Sequence, residues 1–157
     1  LKPCNSMVLL NQVFNWMTHH NISRNKIIHI DMNSVDTDFV SDQKILKRIL
    51  INMVKNALEA IEIGEEVLLK SYIQEGRIIF SVNNPGFIHK DIQLQIFHRT
   101  FSTKGENRGL GTYSMKMHAE KYLNGRIYFF TSKENGTTFF CDLPLISVLE
   151  RLKQKSS

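Results

Sequence analysis

Two asparagines four residues apart, Asn52 and Asn56 in ILINMVKNALEAI, have a type and spacing that could do chemistry. On a helix they stand one above the other. They fall at the edge of the apolar stripe made by Leu46, Ile49, Leu50, Met53, Ala57, Ala60 and Ile61. A carboxamide oxygen at the rim of a core suits a hard cation. Mg²⁺ prefers oxygen and takes one or two protein ligands beside water and phosphate. The bland alternative is a pair of surface asparagines. A second feature is Lys104-Gly105-Glu106-Asn107-Arg108-Gly109-Leu110-Gly111, a polar loop that runs into a helix. Helix N-termini carry unpaired N–H groups and partial positive charge, which suit phosphate. Glycine lets the backbone come close, and Lys104 and Arg108 add charge. It is not a P-loop, because GxxxxGK[ST] is missing, and alone it reads more readily as a flexible loop with a glycine turn. A third feature, Asn83-Asn84-Pro85-Gly86, closes an apolar strand. It is either a plain turn or an amide offered to a base edge, since asparagine both donates and accepts.

These residues need elements to hold them. The spacing predicts a helix over Met7 to Met17 and a strand over Lys26 to Met32, then a loop or short strand over Val35 to Val40. The strongest helix runs from Gln43 to about Ile63, with Ser41 or Asp42 to cap it and Gly64 to end it. Strands follow over Glu66 to Gln74 and Arg77 to Val82, joined at Glu75-Gly76. Asp91 to Phe97 reads as a short helix, Ser102 to Gly109 as a polar loop, and Thr112 to Leu123 as a helix stopped by Asn124-Gly125. Arg126 to Ser132 and Thr137 to Leu143 form a second hairpin around Asn135-Gly136, and Pro144 ends its last strand. Strict βαβ alternation is missing. The expected fold is α+β: a two-layer sandwich with a mixed, mostly antiparallel sheet and helices on one face.

Length and composition bound the rest. A chain of 157 residues, 42% hydrophobic and 22% charged, fits one globular domain over 1–157. The net charge of +5 is an ordinary solubilising balance or a weak pull on anions. No basic run lies along one element, so nucleic acid is not expected; the densest cluster, Arg151 to Lys155, reads as a frayed end. Cys4 and Cys141 show no metal-like spacing and no nucleophile context, and a reduced, cytoplasmic setting is expected. No apolar stretch reaches the roughly 20 residues of a membrane helix. The chain starts at Leu1, so it is expected to be part of a longer protein, which could itself be membrane-anchored.

Order and spacing are more specific than any single motif. ILINMVKNALEAI, FSVNNPGFI, QIFHRTFSTKGENRGLGTYSMK and NGTTFFCDLP together resemble the ATP-binding catalytic domain of sensor histidine kinases, in the GHKL superfamily with the Bergerat fold. The resemblance covers about Val40 to Pro144. It implies that Asn56 is the Mg²⁺ ligand and that Asn52 is the polar residue one turn earlier. It implies that Asn84 stands where an aspartate usually accepts a hydrogen bond from the adenine amine, with Gly86 and Ile88 in the same glycine box. Phe97 and Phe101 match the F-box pair. Thr103, Lys104 and Arg108 fall in the ATP lid, with Lys104 and Arg108 offsetting charge on the transferred group. Gly109, Leu110, Gly111 and Thr112 match the second glycine box. Gly136 and Thr137 match the last box, with Thr137 closing the adenine pocket. The cofactors implied are ATP and Mg²⁺.

The departures are informative. The first glycine box is usually close to DNGPGI and here reads NPGFI, one residue shorter. Asn84, or Asn83 if the gap is placed differently, replaces the aspartate. Alternation groups Asn84 with Phe80 and Val82, and Asn84 keeps Gly86 in register. A charge-assisted bond is then lost, so a weaker or less selective grip on adenine is expected. Asn52 stands where ATP-hydrolysing members of the superfamily carry a glutamate that activates water. Asparagine cannot act as that base, which favours transfer to an external nucleophile.

The resemblance makes that nucleophile a histidine on a separate dimerisation domain, with a response-regulator receiver domain next. His19, His20, His29, His89, His98 and His118 all lack a following Asp or Glu, the usual context of the acceptor. The acceptor domain is therefore expected to lie outside this chain, and the chain to be inactive alone. The alternatives are a non-catalytic nucleotide-sensing module (a pseudokinase) and a serine kinase of the anti-sigma type.

Overall fold

The computed structural model describes residues 1–98 and 110–155. In chain order the elements are β1 (Lys2–Asn5), α1 (Ser6–Thr18), a 3-10 turn (Asn21–Ser23), β2 (Ile27–Ile30), β3 (Asp38–Ser41) and α2 (Gln43–Glu59). There follow β4 (Glu66–Gln74), β5 (Arg77–Asn84), α3 (Lys90–Gln93), α4 (Leu110–Leu123), β6 (Arg126–Ser132), β7 (Gly136–Pro144) and α5 (Val148–Lys155). Five strands form one sheet in the order β2-β4-β5-β7-β6. The β2–β4 pair is parallel and the other pairs are antiparallel. Helices α1, α2 and α4 pack on the sheet and on one another. This is the expected two-layer α+β sandwich.

The core lies between these layers because both faces are patterned for it. Helix α2 buries Leu46, Ile49, Leu50, Met53, Val54, Ala57 and Leu58 at helical spacing. Strand β5 alternates, and Ile78, Phe80 and Val82 meet the helices. Each fully buried aliphatic or aromatic side chain contributes about 1.5–3 kcal/mol, so this seam dominates the stability. Asp42 caps α2, its Oδ1 accepting the N–H groups of Lys44 and Ile45 at 3.0 and 3.1 Å, while Ser41 is the last residue of β3. Across β5, β7 and β6, the buried carboxylate of Asp142 accepts from Arg77 and Arg126 and ties the three strands together.

Several boundaries differ from expectation. Helix α2 stops at Glu59, not near Ile63. The chain beyond it is drawn into turns, where Glu65 accepts the Glu62 N–H and Gly64 donates to the Asn25 carbonyl. Strand β5 continues to Asn84 because β7 pairs with Asn83 and Asn84 through Thr138 and Thr137. The short helix expected over Asp91 to Phe97 covers Lys90–Gln93 and gives way to turns as Ile96 enters the core. β1 was not foreseen; it pairs antiparallel with β3. The supposed frayed end is α5, started by Ser147 and Glu150, each side chain accepting the other's backbone N–H. Among the described residues, no helix is long and apolar enough to cross a membrane.

Candidate functional site

The site begins at the end of β5. Adjacent residues point to opposite faces of a strand, and here that separates two asparagines. Asn83 faces away from the helices. Its Nδ2 donates to Thr138 Oγ1 at 2.9 Å and to the carbonyls of Asn135 and Thr137 at 3.1 and 3.3 Å. Asn84 continues the Ile78–Phe80–Val82 row on the helix side and keeps 4% exposure. Its Oδ1 accepts the Gly86 N–H at 2.8 Å, so the side chain braces the turn that follows it.

Two glycines are required by close approach. A Cβ on Gly86 would sit 2.9 Å from Asn84 Oδ1 and 3.5 Å from the Ala60 carbonyl, so the turn lies against the end of α2. A Cβ on Gly136, whose φ is +72°, would lie 2.0 Å from the Asn84 carbonyl. The β6–β7 turn therefore rests directly on the Asn84–Pro85 backbone.

Two threonine hydroxyls and two backbone groups lock this end of the sheet. Thr137, 2% exposed, donates through Oγ1 to the Gly86 carbonyl at 2.7 Å. Its single proton is then spent, so Thr131 must be the donor in the 2.8 Å contact between the two hydroxyls. Thr131 Oγ1 in turn accepts the Ile88 N–H at 3.0 Å. The chain Ile88–Thr131–Thr137–Gly86 holds both ends of the 86–88 segment. The sequence singled out Gly86, Ile88 and Thr137 but not Thr131. Thr131 is recognisable only once β6 is registered on β7, where Thr131 pairs with Thr137.

Asn52 and Asn56 lie on α2, both half-buried, as their place at the stripe's edge predicts. Among the described residues neither carboxamide has a hydrogen-bond partner. Asn56 is one turn before Ala60, the residue against which Gly86 rests. The described residues contain no cluster of three His, Cys, Asp or Glu side chains able to hold a metal. An unpartnered, half-buried carboxamide oxygen close to the Gly86 turn fits a hard cation that takes most of its ligands from phosphate and water.

The second glycine box opens α4. Leu110 is its first residue, Gly111 lies in the first turn with open space beside its Cα, and α4 packs along α2. Thr112 Oγ1 donates to the Ile96 carbonyl at 2.5 Å, which ties the start of α4 to the segment after α3. Phe97 packs against Phe129 and Phe139, with ring centroids 5.8 and 6.2 Å away, and Lys116 Nζ lies 5.6 Å from its ring. Phe101, Thr103, Lys104, Arg108 and Gly109 lie outside the described residues. Both cysteines are buried and free, and burial pushes both thiols up from their usual range, as their lack of a nucleophile context predicts.

This arrangement defines a class. The chain belongs to the histidine kinase-, DNA gyrase B- and HSP90-like ATPase family, whose sequence profile matches residues 41–147. Within it the chain is similar to histidine kinases. It is 30% identical over 121 residues to the heme sensor protein HssS of Staphylococcus aureus (strain JH9), across 75% of this chain and 26% of that protein. It thus spans about a quarter of the length of the curated relatives it matches. The catalytic domain of the histidine kinase ThkA, solved nucleotide-free, superposes with a TM-score of 0.81 at 25% identity, covering 92% of this chain and 95% of that one. Full-length ShkA, solved in complex with AMPPNP, also gives 0.81 at 25% identity, over 94% of this chain and 32% of that one. The fold is that of a histidine-kinase ATP-binding domain.

Proposed function

We propose that this chain binds Mg²⁺·ATP and passes the γ-phosphoryl to a histidine on a dimerisation domain outside residues 1–157. The observation that carries the reading is the pairing of a built sheet end, Asn84–Gly86–Thr137, with the unpartnered Asn52 and Asn56 beside it. The sheet end receives the base, with Asn84 against the purine six position and Thr137 behind it. Asn56 Oδ1 holds the Mg²⁺, which when bound spreads the negative charge of the phosphates. The Gly109–Gly111 segment and the start of α4 offer backbone N–H groups to the triphosphate. Lys104 and Arg108 offset charge on the transferred group, and Ile88, Phe97, Thr103 and Thr112 complete the walls. The acceptor nitrogen attacks the γ-phosphorus, the bond to the β–γ bridging oxygen breaks, and ADP leaves. Asn52 has no carboxylate to take a proton from water, so transfer prevails over hydrolysis.

In this reading the parent is a phosphoprotein of a two-component system. Its histidine-borne phosphoryl moves on to an aspartate of a receiver domain, and the present domain works in the cytoplasm. A complex of ThkA with the response regulator TrrA shares this fold at 23% identity, with a TM-score of 0.71, over 92% of this chain and 41% of that one.

The test uses γ-labelled ATP. The isolated chain retains no label, and adding the parent's histidine-bearing domain yields acid-labile phosphohistidine there. Label kept on the isolated chain would sink the reading. An acid-stable product would make it a serine kinase instead. Binding without any transfer would make it a nucleotide sensor.

A further inference from the structure

The two ends of the Asn84 amide are in different situations. Oδ1 accepts the Gly86 N–H at 2.8 Å. Nδ2, on a residue with only 4% exposure, has no hydrogen-bond partner among the described residues. The Gly86 bond settles which atom is oxygen. Turned over, the amide would set its NH₂ against the Gly86 N–H, donor against donor. Nor can the backbone swing away, because the Gly136 turn rests on the Asn84 carbonyl.

A carboxylate at this position would have two acceptor oxygens, one for Gly86 and one for a ligand's N–H. Asparagine has one acceptor oxygen, one of whose two lone pairs is taken by the Gly86 N–H, and the group it leaves without a protein partner is a donor. The exocyclic amine of adenine is itself a donor, whereas the six position of guanine is a carbonyl acceptor. Resting on the reading above, in which Asn84 faces the purine six position, we propose that the site takes 6-oxopurine nucleoside triphosphates at least as tightly as ATP. A donor that a bound base seals against another donor loses binding, and the same donor matched to a carbonyl gains it. This goes beyond a weakened grip on adenine: it reverses the direction of selection at one atom.

The experiment is calorimetric titration of the 157-residue chain, in Mg²⁺, with ATP, ITP and GTP. ITP carries the six-position carbonyl without guanine's additional amine, so it isolates the atom in question. The expected result is a Kd for ITP equal to or below that for ATP, with GTP showing whether the 2-amine is also accommodated. Asn84→Asp is expected to shift the ITP-to-ATP ratio of Kd values toward ATP by tenfold or more. A wild-type chain that prefers ATP over ITP overturns the inference while leaving the nucleotide reading intact. So does an Asn84→Asp variant whose ratio does not move. If that variant fails to fold, the wild-type ratio alone decides. Failure of all three nucleotides to bind overturns the nucleotide reading itself, and the inference with it.

Discussion

The end of the sheet, which meets the end of α2 where Gly86 lies against Ala60, and the flank of α2 are built in opposite ways. At the sheet end the donors and acceptors that shape the turn are matched internally: Asn84 to Gly86, Thr137 to Gly86, Thr131 to Thr137 and Ile88 to Thr131. Only the Asn84 amide nitrogen is left over among these described groups. On α2, the Asn52 and Asn56 carboxamides are half-buried with no partner among the described residues. Folding has already set the first region, so a ligand need not order it. The second region holds polar groups whose partners must come from outside. In the proposed function the difference separates residues that fold the site from residues that use it, and mutations should tell the two apart.

The largest effect is expected from Gly136→Ala. Its Cβ would lie 2.0 Å from the Asn84 carbonyl, at a φ of +72° that side chains rarely adopt. We expect a loss of about 3 kcal/mol of stability by urea denaturation, combining overpacking with backbone strain. A loss under about 1 kcal/mol would show that the β6–β7 turn yields, and the rigid half of the comparison would fail.

Asn56→Ala should do the reverse. The residue makes no internal hydrogen bond among those described, so the urea midpoint should move little, within about 0.5 kcal/mol. Phosphoryl transfer with the acceptor domain present should fall about a hundredfold, the scale of a misplaced reacting group. Lost stability with transfer retained would assign Asn56 to the fold.

A pH titration probes the buried sheet face. Cys141 lies within it, and burial pushes its thiol above the ordinary value of 9.0. Near neutrality the thiol is protonated in both states, so nothing changes. Above about pH 9 the unfolded chain releases this proton and the folded chain does not, so stability falls as pH rises. The slope is about 1.4 kcal/mol per pH unit for one such group. The raised Tyr72 and Tyr128 hydroxyls act in the same direction at higher pH. Cys141→Ala should flatten the urea-midpoint decline between pH 9 and 10, and an unchanged decline would place its cause elsewhere.

The smallest effect separates neighbours. Asn83→Ala removes the bonds to Thr138 and to the Asn135 and Thr137 carbonyls on the outer face, at a cost of about 1 kcal/mol. Nucleotide affinity should be unchanged, because the side chain points away from Asn84. A fall in affinity as large as that of an Asn84 variant would erase the distinction between the two asparagines.

Local chemistry determined much of this protein from the sequence. The 3.6-residue spacing of the α2 apolar positions, the Glu75-Gly76 turn with both residues at positive φ, and the stop at Asn124-Gly125 act over a few residues. Such short-range preferences can be read without knowing what lies across the core. Alternation along β5 likewise placed Asn84 with Phe80 and Val82, and the ordered motifs pointed to the family. The Ser147-to-Glu150 capping box is equally local, and it starts a helix where the basic cluster suggests a frayed end.

Tertiary structure alone decided what depends on register and on approach between distant segments. Asn135-Gly136 marks a hairpin but does not set its loop length. A two-residue loop would pair Thr137 with Glu134 and set Thr131 opposite Phe140, on the outer face. The observed three-residue loop instead pairs Thr131 with Thr137 and so completes the hydrogen-bond chain. The pairing of β1 with β3 and the early end of α2 arise in the same way, from partners more than thirty residues away. So does the state of the Asn84 amide. Residue type supplies a donor NH₂ and an acceptor oxygen, but only the folded turn engages the oxygen and leaves the NH₂ without a protein partner.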